Sequence, residues 1–440
     1  MIVRDKMRFS ETQINHVLKI LYEEVVPAQG CTEPIAIAFA AAKAREVIAE
    51  EEIIRVVIRV SGNIIKNVKS VVVPNSGGMV GIEVSAVMGF MFGDASKDLM
   101  VINDITEAQM VQVRTFMEAA TIEVIHVDTP EKLYIEVALY SEDRCGSVEI
   151  KHFHTNITKI KRDKGVLLSQ PCNDKVFNTP EEERSQLSIR MIYELAKVID
   201  LKRIEPLMSK VITLNSRIAN EGLAGNYGIN IGSVIREHIE NGFYGDDIRN
   251  RAASFAAAGS DARMSGCDLP VMTTSGSGNQ GMAASLALIE YARFFSLERE
   301  KLIRALFFSH LSTVHIKTNV GRLSAYCGVI CSAAAVSGAL CFIEGHDFDV
   351  VSHAIANTLG DVSGIICDGA KASCAMKIST TIYAAFDSYL LATHGEYMHG
   401  GDGIIANDIE KTLEYVGKLA GDGMKITDEV IIDIMSHNYR

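Results

Sequence analysis

The run Lys132-Leu-Tyr-Ile-Glu-Val-Ala-Leu-Tyr140 decides the architecture of the first half of the chain. It is rich in β-branched and aromatic residues and reads as a strand, as do Ile53–Val60, Thr121–His126 and Ser147–His152. Helical periodicity at Met79–Phe92 and Glu107–Glu118 separates these runs, so residues 51–180 read as an α+β domain. After the polar stretch Asn173–Arg184 the strand signal fades. Helix then follows helix, with Ala, Gly and Ser at the apparent contacts, and 181–440 is expected to form an all-α domain. Upstream, Ser10 and Gln13 have capping-box spacing ahead of the periodic Ile14, Val17, Leu18, Leu21 and Val25. Pro27 to Gly30 break that helix, and Thr32 reads as the N-cap of a second one reaching about Ala49. This segment, 1–50, places Cys31 just ahead of a helix N-terminus and is expected to pack on the helical domain. The fold class is therefore α+β, a mixed α/β region followed by a mostly all-α body.

The 440 residues carry 43 basic and 55 acidic side chains, a formal charge of −12, and 48% are hydrophobic. That apolar fraction excludes a disordered chain, and the absence of clustered Lys and Arg argues against a nucleic-acid partner. A small molecule is the expected ligand. Nothing near Met1 has the apolar core of a signal peptide, so the expected compartment is the cytoplasm, where the nine cysteines would be reduced thiols. Leu323–Ile343 contains no charged residue, but its richness in Gly, Ala, Ser and Cys suits a tightly packed buried helix better than a membrane span.

Three segments carry potential chemistry. In Gln29-Gly-Cys-Thr-Glu-Pro34, a thiol at a helix N-terminus would feel the positive end of the macrodipole, which lowers its pKa and suits a base, nucleophile or metal ligand. A small buried residue in a tight turn fits the same pattern. Ser275-Gly-Ser-Gly-Asn-Gln-Gly281 runs into the apolar Met282–Tyr291 and could bring backbone N–H groups to a carboxylate or phosphate, although an ordinary interhelical loop has the same composition. Pro74-Asn-Ser-Gly-Gly78 is a smaller relative of it. The helical half then gathers Cys327, Cys331, Cys341, Cys367 and Cys374. Cys327 and Cys331 have i, i+4 spacing on one helix face, and none of the spacings is a zinc-ribbon or ferredoxin pattern.

Taken in order, Gln29–Pro34, Pro74–Gly78, Asp261-Ala-Arg-Met264 with Ser275–Gly281, Gly321-Arg-Leu-Ser-Ala325 with Cys327, and Cys367-Asp-Gly-Ala370 with Cys374 resemble the L-cysteine desulfidase family. That family is similar to the alpha-chain of iron–sulfur L-serine dehydratases. The resemblance implies a [4Fe-4S] cluster held by Cys327, Cys367 and Cys374, with Cys31 as catalytic base. Cys331 and Cys341 are then core residues and Cys267 a bystander. No cysteine follows Cys374, which implies one iron left open as a Lewis acid. The implied activity is β-elimination of L-cysteine to pyruvate, ammonia and hydrogen sulfide.

Asn75, Ser76, Gly77, Ser277, Gly278 and Asn279 are the candidates for gripping the substrate carboxylate, and His315 for balancing charge or donating a proton. His310, Lys317 and Arg322 are weaker candidates of the same kind. His394 and His399 fit a solvated Gly-rich loop. An L-serine dehydratase using the same cluster and base is the main competing reading, followed by a non-catalytic iron–sulfur sensor and a cluster-free helical protein. A symmetric homodimer is the expected assembly for an enzyme of this size, with no nucleic-acid or membrane partner.

Overall fold

The structure is a computed structural model that describes residues 9–49, 51–170, 184, 186–321 and 323–437. Helix α1 (Glu11–Glu24) opens it with the expected capping box: Ser10 Oγ accepts from the Gln13 amide, and the Gln13 side chain accepts from Ser10 N at 2.9 Å. Strand β1 (Pro27–Gln29) leads into α2 (Thr32–Ile48), followed by β2 (Arg55–Val60), α3 (Gly62–Val68), α4 (Ile82–Phe92) and α5 (Glu107–Ala119). Five strands come next: β3 (Thr121–His126), β4 (Tyr134–Tyr140), β5 (Cys145–Lys151), β6 (Ile157–Arg162) and β7 (Gly165–Ser169).

Strands β2 to β7 form one sheet in the order β3-β2-β4-β5-β6-β7. Only β2 and β3 run parallel, with Ile58 opposite Val124, and the helices α3 to α5 supply the crossover that a parallel pair requires. The other neighbours are antiparallel, Ile58 facing Val137 across β2 and β4. Ile35, Ile37 and Ile48 of α2 close over Val56, Ile135, Val137 and Ile150 to make the core of this body. Helix α4 lies so close to α2 that a Cβ on Gly89 would stand 2.2 Å from Ala38 O.

The second body is helical, as expected for the mostly helical half of an α+β chain. It contains α6 (Ile189–Val198), α7 (Glu205–Ala224), α8 (Ile231–Glu240), α9 (Ile248–Met264), strand β8 (Pro270–Met272), α10 (Gly278–Phe294), α11 (Arg299–Val320), α12 (Val329–Ile343), α13 (Phe348–Val362), α14 (Cys374–Thr393), α15 (Ile409–Lys418) and α16 (Lys425–His437). Phe307, Phe308 and Leu311 of α11 pack with Val336 and Leu340 of α12 in its core, where Cys331 and Cys341 are also fully buried. Residues 9–49 are shared between the bodies. Val17, Ile20 and Leu21 of α1 belong to the helical core, and α2 belongs to the sheet core. No helix among the described residues is long and apolar enough to cross a membrane, and the uncharged stretch from Leu323 folds as a loop and the buried α12.

The two bodies are joined at β1 and β8, which pair antiparallel as Pro27↔Met272, Ala28↔Val271 and Gln29↔Pro270. Three local expectations change. Cys31 is itself the N-cap of α2, and Thr32 is the first helical residue. Helix α10 begins at Gly278 instead of Met282, because Ser277 caps it and Gly281 lets its first turn close on β8; a Cβ there would meet Met272 O at 2.0 Å. Cys327 does not share a helix face with Cys331. Its amide is given to Ile365 O at 3.1 Å, which holds it directly after the Tyr326↔Ile366 bridge and ahead of α12. The stretch 173–183, Cys172 and Arg322 lie outside the described residues.

The closeness of α2 and α4 has a testable sign. Gly89→Ala would gain about 0.5–1 kcal/mol from helix propensity alone, yet the contact with Ala38 O should make it destabilising by about 1–3 kcal/mol. A urea midpoint lower than that of the parent protein is the expected result, and a higher midpoint would show that the helices separate freely.

Candidate active site

A turn and a helix start deliver Cys31. Gly30 has φ +60°, and a Cβ on it would stand 2.2 Å from Pro74 Cγ, so only glycine lets the chain turn from β1 into α2 against that proline. Opposite, Thr273 N and Thr273 Oγ1 both donate to Val26 O, and Thr32 Oγ1 donates to Gly276 O at 2.9 Å. The α2 start and the α10 start are thus held side by side. From the other direction, the bridge Tyr326↔Ile366 ties two loops together: Cys327 N donates to Ile365 O, and Cys367 N donates to Ala325 O at 2.5 Å. Cys374 is the first residue of α14.

These elements enclose one cleft of about 100 Å³, bordered by Cys31, Cys327, Cys367 and Cys374 together. Ser277, Asn279 and Gln280 border it from α10, Arg263 from the end of α9, Lys317 from α11, and Glu33, Lys66 and Asn67 from the sheet body. Both bodies therefore contribute to one cavity. Such a concave space with convergent polar groups is the usual form of a small-molecule site.

Cys31 is 3% exposed, and its Sγ donates to Glu33 Oε2 at 3.0 Å. Burial and then the Glu33 charge push this thiol well above its ordinary pKa, with the Arg263 charge opposing them. The expectation of a lowered pKa from the helix terminus is overturned at this point, because desolvation and an adjacent carboxylate outweigh the macrodipole. Glu33 is the ionised partner. Burial alone would raise its carboxyl, but His154, with Nε2 4.0 Å from Oε1, and the Cys31 thiol bring it to about 2. Asn67 Nδ2 also donates to Glu33 Oε1 at 2.9 Å, and Thr32 Oγ1, whose proton goes to Gly276 O, lies 3.1 Å from Oε2. The stability that Glu33 contributes is thus present above its unfolded pKa near 4.5 and fades as pH falls toward 2.

Across the cleft, burial and then the neighbouring Cys367 and Cys374 push the Cys327 thiol far up, and burial raises Cys374 as well. Lys377, whose Nζ reaches Asp368 Oδ1 and Ile366 O, works against both. Among the described residues no group of three Cys, His, Asp or Glu side chains is arranged to hold a single metal ion. A cluster makes a different demand, since its thiolates bind different irons and need not converge on one point.

The other expected site residues divide. Ser277 and Asn279 reach the cleft, and Gly278 supports it from behind, where a Cβ would collide with Arg263 Nε at 2.3 Å. Asn75, Ser76 and Gly77 do not border it. Asn75 Nδ2 donates to Ile102 O and Asn103 O, Ser76 Oγ donates to Met79 O, and a Cβ on Gly77 would meet Arg114. Their turn buttresses the Cys31 corner through Pro74. His315 is away from the cleft too, its Nε2 2.6 Å from Glu410 Oε2. His310 is bonded to Thr274 Oγ1 and fully buried, which lowers its pKa to about 3, so it is neutral.

Residues 96–433 match the family model described as the serine dehydratase alpha chain. The chain belongs to the serine dehydratase alpha-chain family. It is 56% identical to a UPF0597 protein of Fusobacterium nucleatum over 97% of this chain and 100% of that one. A UPF0597 protein of Desulfitobacterium hafniense is 43% identical over 99% of each chain, and one of Vibrio parahaemolyticus is 38% identical over 96% of this chain and 99% of its own. Membership puts this chain among proteins of the dehydratase or lyase type.

Sequence reading gives no role to several residues that shape this family member's cleft. Glu33 had a signal, lying two positions after Cys31 in the same hexapeptide, and Arg263 lies within the Asp261–Met264 block. Lys66 and Asn67 had none. Lys66 is buried on α3, bonded to Asp428 Oδ1 of α16 at 2.5 Å and to Cys367 O at 3.4 Å.

The negative charge of Glu33 disfavours a Cys31 thiolate, and its bond to the S–H favours the neutral form. Glu33→Gln should therefore shift the titration of Cys31 to lower pH. Alkylation by iodoacetamide across pH, read at Cys31 by peptide mass spectrometry, should reach half-maximal rate at lower pH in the variant; an unchanged or higher midpoint would refute the coupling.

Proposed function

We propose that this protein is an iron–sulfur-dependent β-eliminating lyase that converts L-cysteine to pyruvate, ammonia and hydrogen sulfide. The observation that carries the reading is the meeting of Cys31 with Cys327, Cys367 and Cys374 at one cleft. Burial raises the Cys327 and Cys374 thiols, and with Cys367 beside them they make a donor set suited to a cation that shares the charge of thiolate ligands. That chemistry fits a [4Fe-4S] cluster on Cys327, Cys367 and Cys374. When bound, an iron with an open position supplies Lewis acidity toward a substrate carboxylate or sulfur.

The chain's own groups handle the protons. Cys31 acts as base once its thiol has lost its proton to solvent, a loss that the Arg263 charge favours and that burial and the Glu33 charge oppose. The resulting thiolate Sγ takes the Cα proton of the substrate, the electron pair forms the Cα–Cβ double bond, and the Cβ–S bond breaks. The departing sulfur takes up a proton and leaves as hydrogen sulfide. Aminoacrylate tautomerises to the imine, and water converts it to pyruvate and ammonium. Burial around Cys31 keeps water from competing for the thiolate. Elimination of water from L-serine is the second reading, favoured by the family match, since a hydroxyl leaving group would use the same base.

Anaerobically reconstituted protein given L-cysteine and L-serine in separate assays should release sulfide and pyruvate from cysteine; pyruvate from serine alone would transfer the assignment to dehydration. Cys31→Ser should keep the cluster absorbance and lose at least about 100-fold in kcat, the usual scale of a proton-transfer catalyst. Single replacement of Cys327, Cys367 or Cys374 by Ser should lower iron and acid-labile sulfide, and normal content in all three variants would remove the ligand assignment.

A further inference from the structure

Arg263 is 2% exposed and borders the cleft at the end of α9. A buried guanidinium ordinarily has a carboxylate partner, because an uncompensated charge in a dry site is expensive. Among the described residues none forms an ion pair with it. Its Nη1 donates to Asn279 Oδ1 at 3.1 Å and lies 3.5 Å from Met264 Sδ, and its buried Nε has no hydrogen-bond partner. Asn279 Oδ1 is itself committed, accepting also from Ser260 Oγ at 3.2 Å, so the guanidinium is positioned by neutral groups and neutralised by none.

Its placement is equally specific. Arg263 shares the cleft wall with both Cys31 and Cys374. The remaining charged groups on the cleft wall are already committed. Lys66 is paired with Asp428, and Glu33 is bonded to Cys31 and Asn67. Lys317 has a partner of its own.

We propose that Arg263 binds the α-carboxylate of the substrate and so restricts this site to small amino acids carrying a free carboxylate. This deepens the lyase reading and rests on it for the identity of the substrate. A planar donor set held by Asn279 offers charge-assisted bonds to a carboxylate. A carboxylate bound there would lie in the same cleft that Cys31 and the three other thiols border. The same bond withdraws negative charge from the carboxylate, which makes the adjacent Cα–H easier to remove.

Two thiols separate this role from a structural one: 3-mercaptopropionate, with a carboxylate and no amine, and cysteamine, with an amine and no carboxylate. Calorimetric titration of the anaerobically reconstituted protein should show the parent binding 3-mercaptopropionate the more tightly. Arg263→Gln should weaken 3-mercaptopropionate by about 10- to 100-fold, the scale of a lost hydrogen bond to a charged group, and leave cysteamine within about twofold. Arg263→Lys, which keeps the charge and loses the planar fork, should fall between them. Iron content should stay at the parent level in both variants. Equal weakening of both thiols, no change in either, or loss of iron in both variants would overturn the assignment and make Arg263 a structural counter-charge. Binding needs no turnover, so a parent protein that shows this discrimination but eliminates nothing from cysteine or serine would refute the lyase reading and leave Arg263 as a carboxylate-binding residue. Turnover with binding indifferent to Arg263 would do the reverse.

Discussion

Three residues of backbone pairing hold this molecule's chemistry together. β1 lies between a helix of one core and a helix of the other, and its partner β8 leads straight into the loop that starts α10. Without that pairing, Cys31 would belong to the sheet body alone, and Ser277, Asn279 and Arg263 to the helical body alone. Thr273, Gln29 and Thr32 reinforce the clasp with side-chain bonds across the same seam. Backbone pairing suits this task because its register is fixed in steps of one residue, and a slip would rotate Cys31 away from the cavity.

The cleft that results is polar, buried and unevenly balanced. Glu33 is held ionised by its neighbours, Cys31 is held neutral by burial and then by Glu33, and among the described residues no carboxylate pairs with Arg263. Each group alone would be unfavourable in a water-poor cavity. On the reading proposed above, that arrangement would be completed by a carboxylate at Arg263 and a metal group at the three cysteines.

Much of the frame is legible in the sequence because its causes are local. The capping box at Ser10, strand β3 at Thr121–His126 and the β-rich run of β4 follow from neighbouring side chains and are found where pattern places them. The cluster of small residues in Gln29–Pro34 and Ser275–Gly281 likewise marks real close approaches, at Gly30 against Pro74 and Gly281 against Met272. What spacing misleads on is set by distant partners. Cys327 leaves the α12 face because its amide is taken by Ile365, and the Asn75–Gly78 turn spends its donors on Ile102, Asn103 and Met79. The direction of the Cys31 shift was illegible for the same reason. A helix terminus can be read from one segment, whereas desolvation requires both bodies to be in place.

The bridge between Tyr326 and Ile366 has a further consequence for how the thiols behave as a set. Cys327 and Cys367 follow directly on the bridged residues, so their separation is fixed by main-chain hydrogen bonds formed during folding. Small metallo-domains that are unfolded when empty assemble their ligands at the moment of binding, and the ordering entropy is charged against affinity. Here the main-chain bonds of the bridge set the backbone order themselves, so the ligand role proposed for Cys327 and Cys367 would carry a smaller ordering cost. A metal group held as proposed would then be taken up and released by exchange at a standing scaffold, without refolding of the surrounding helices.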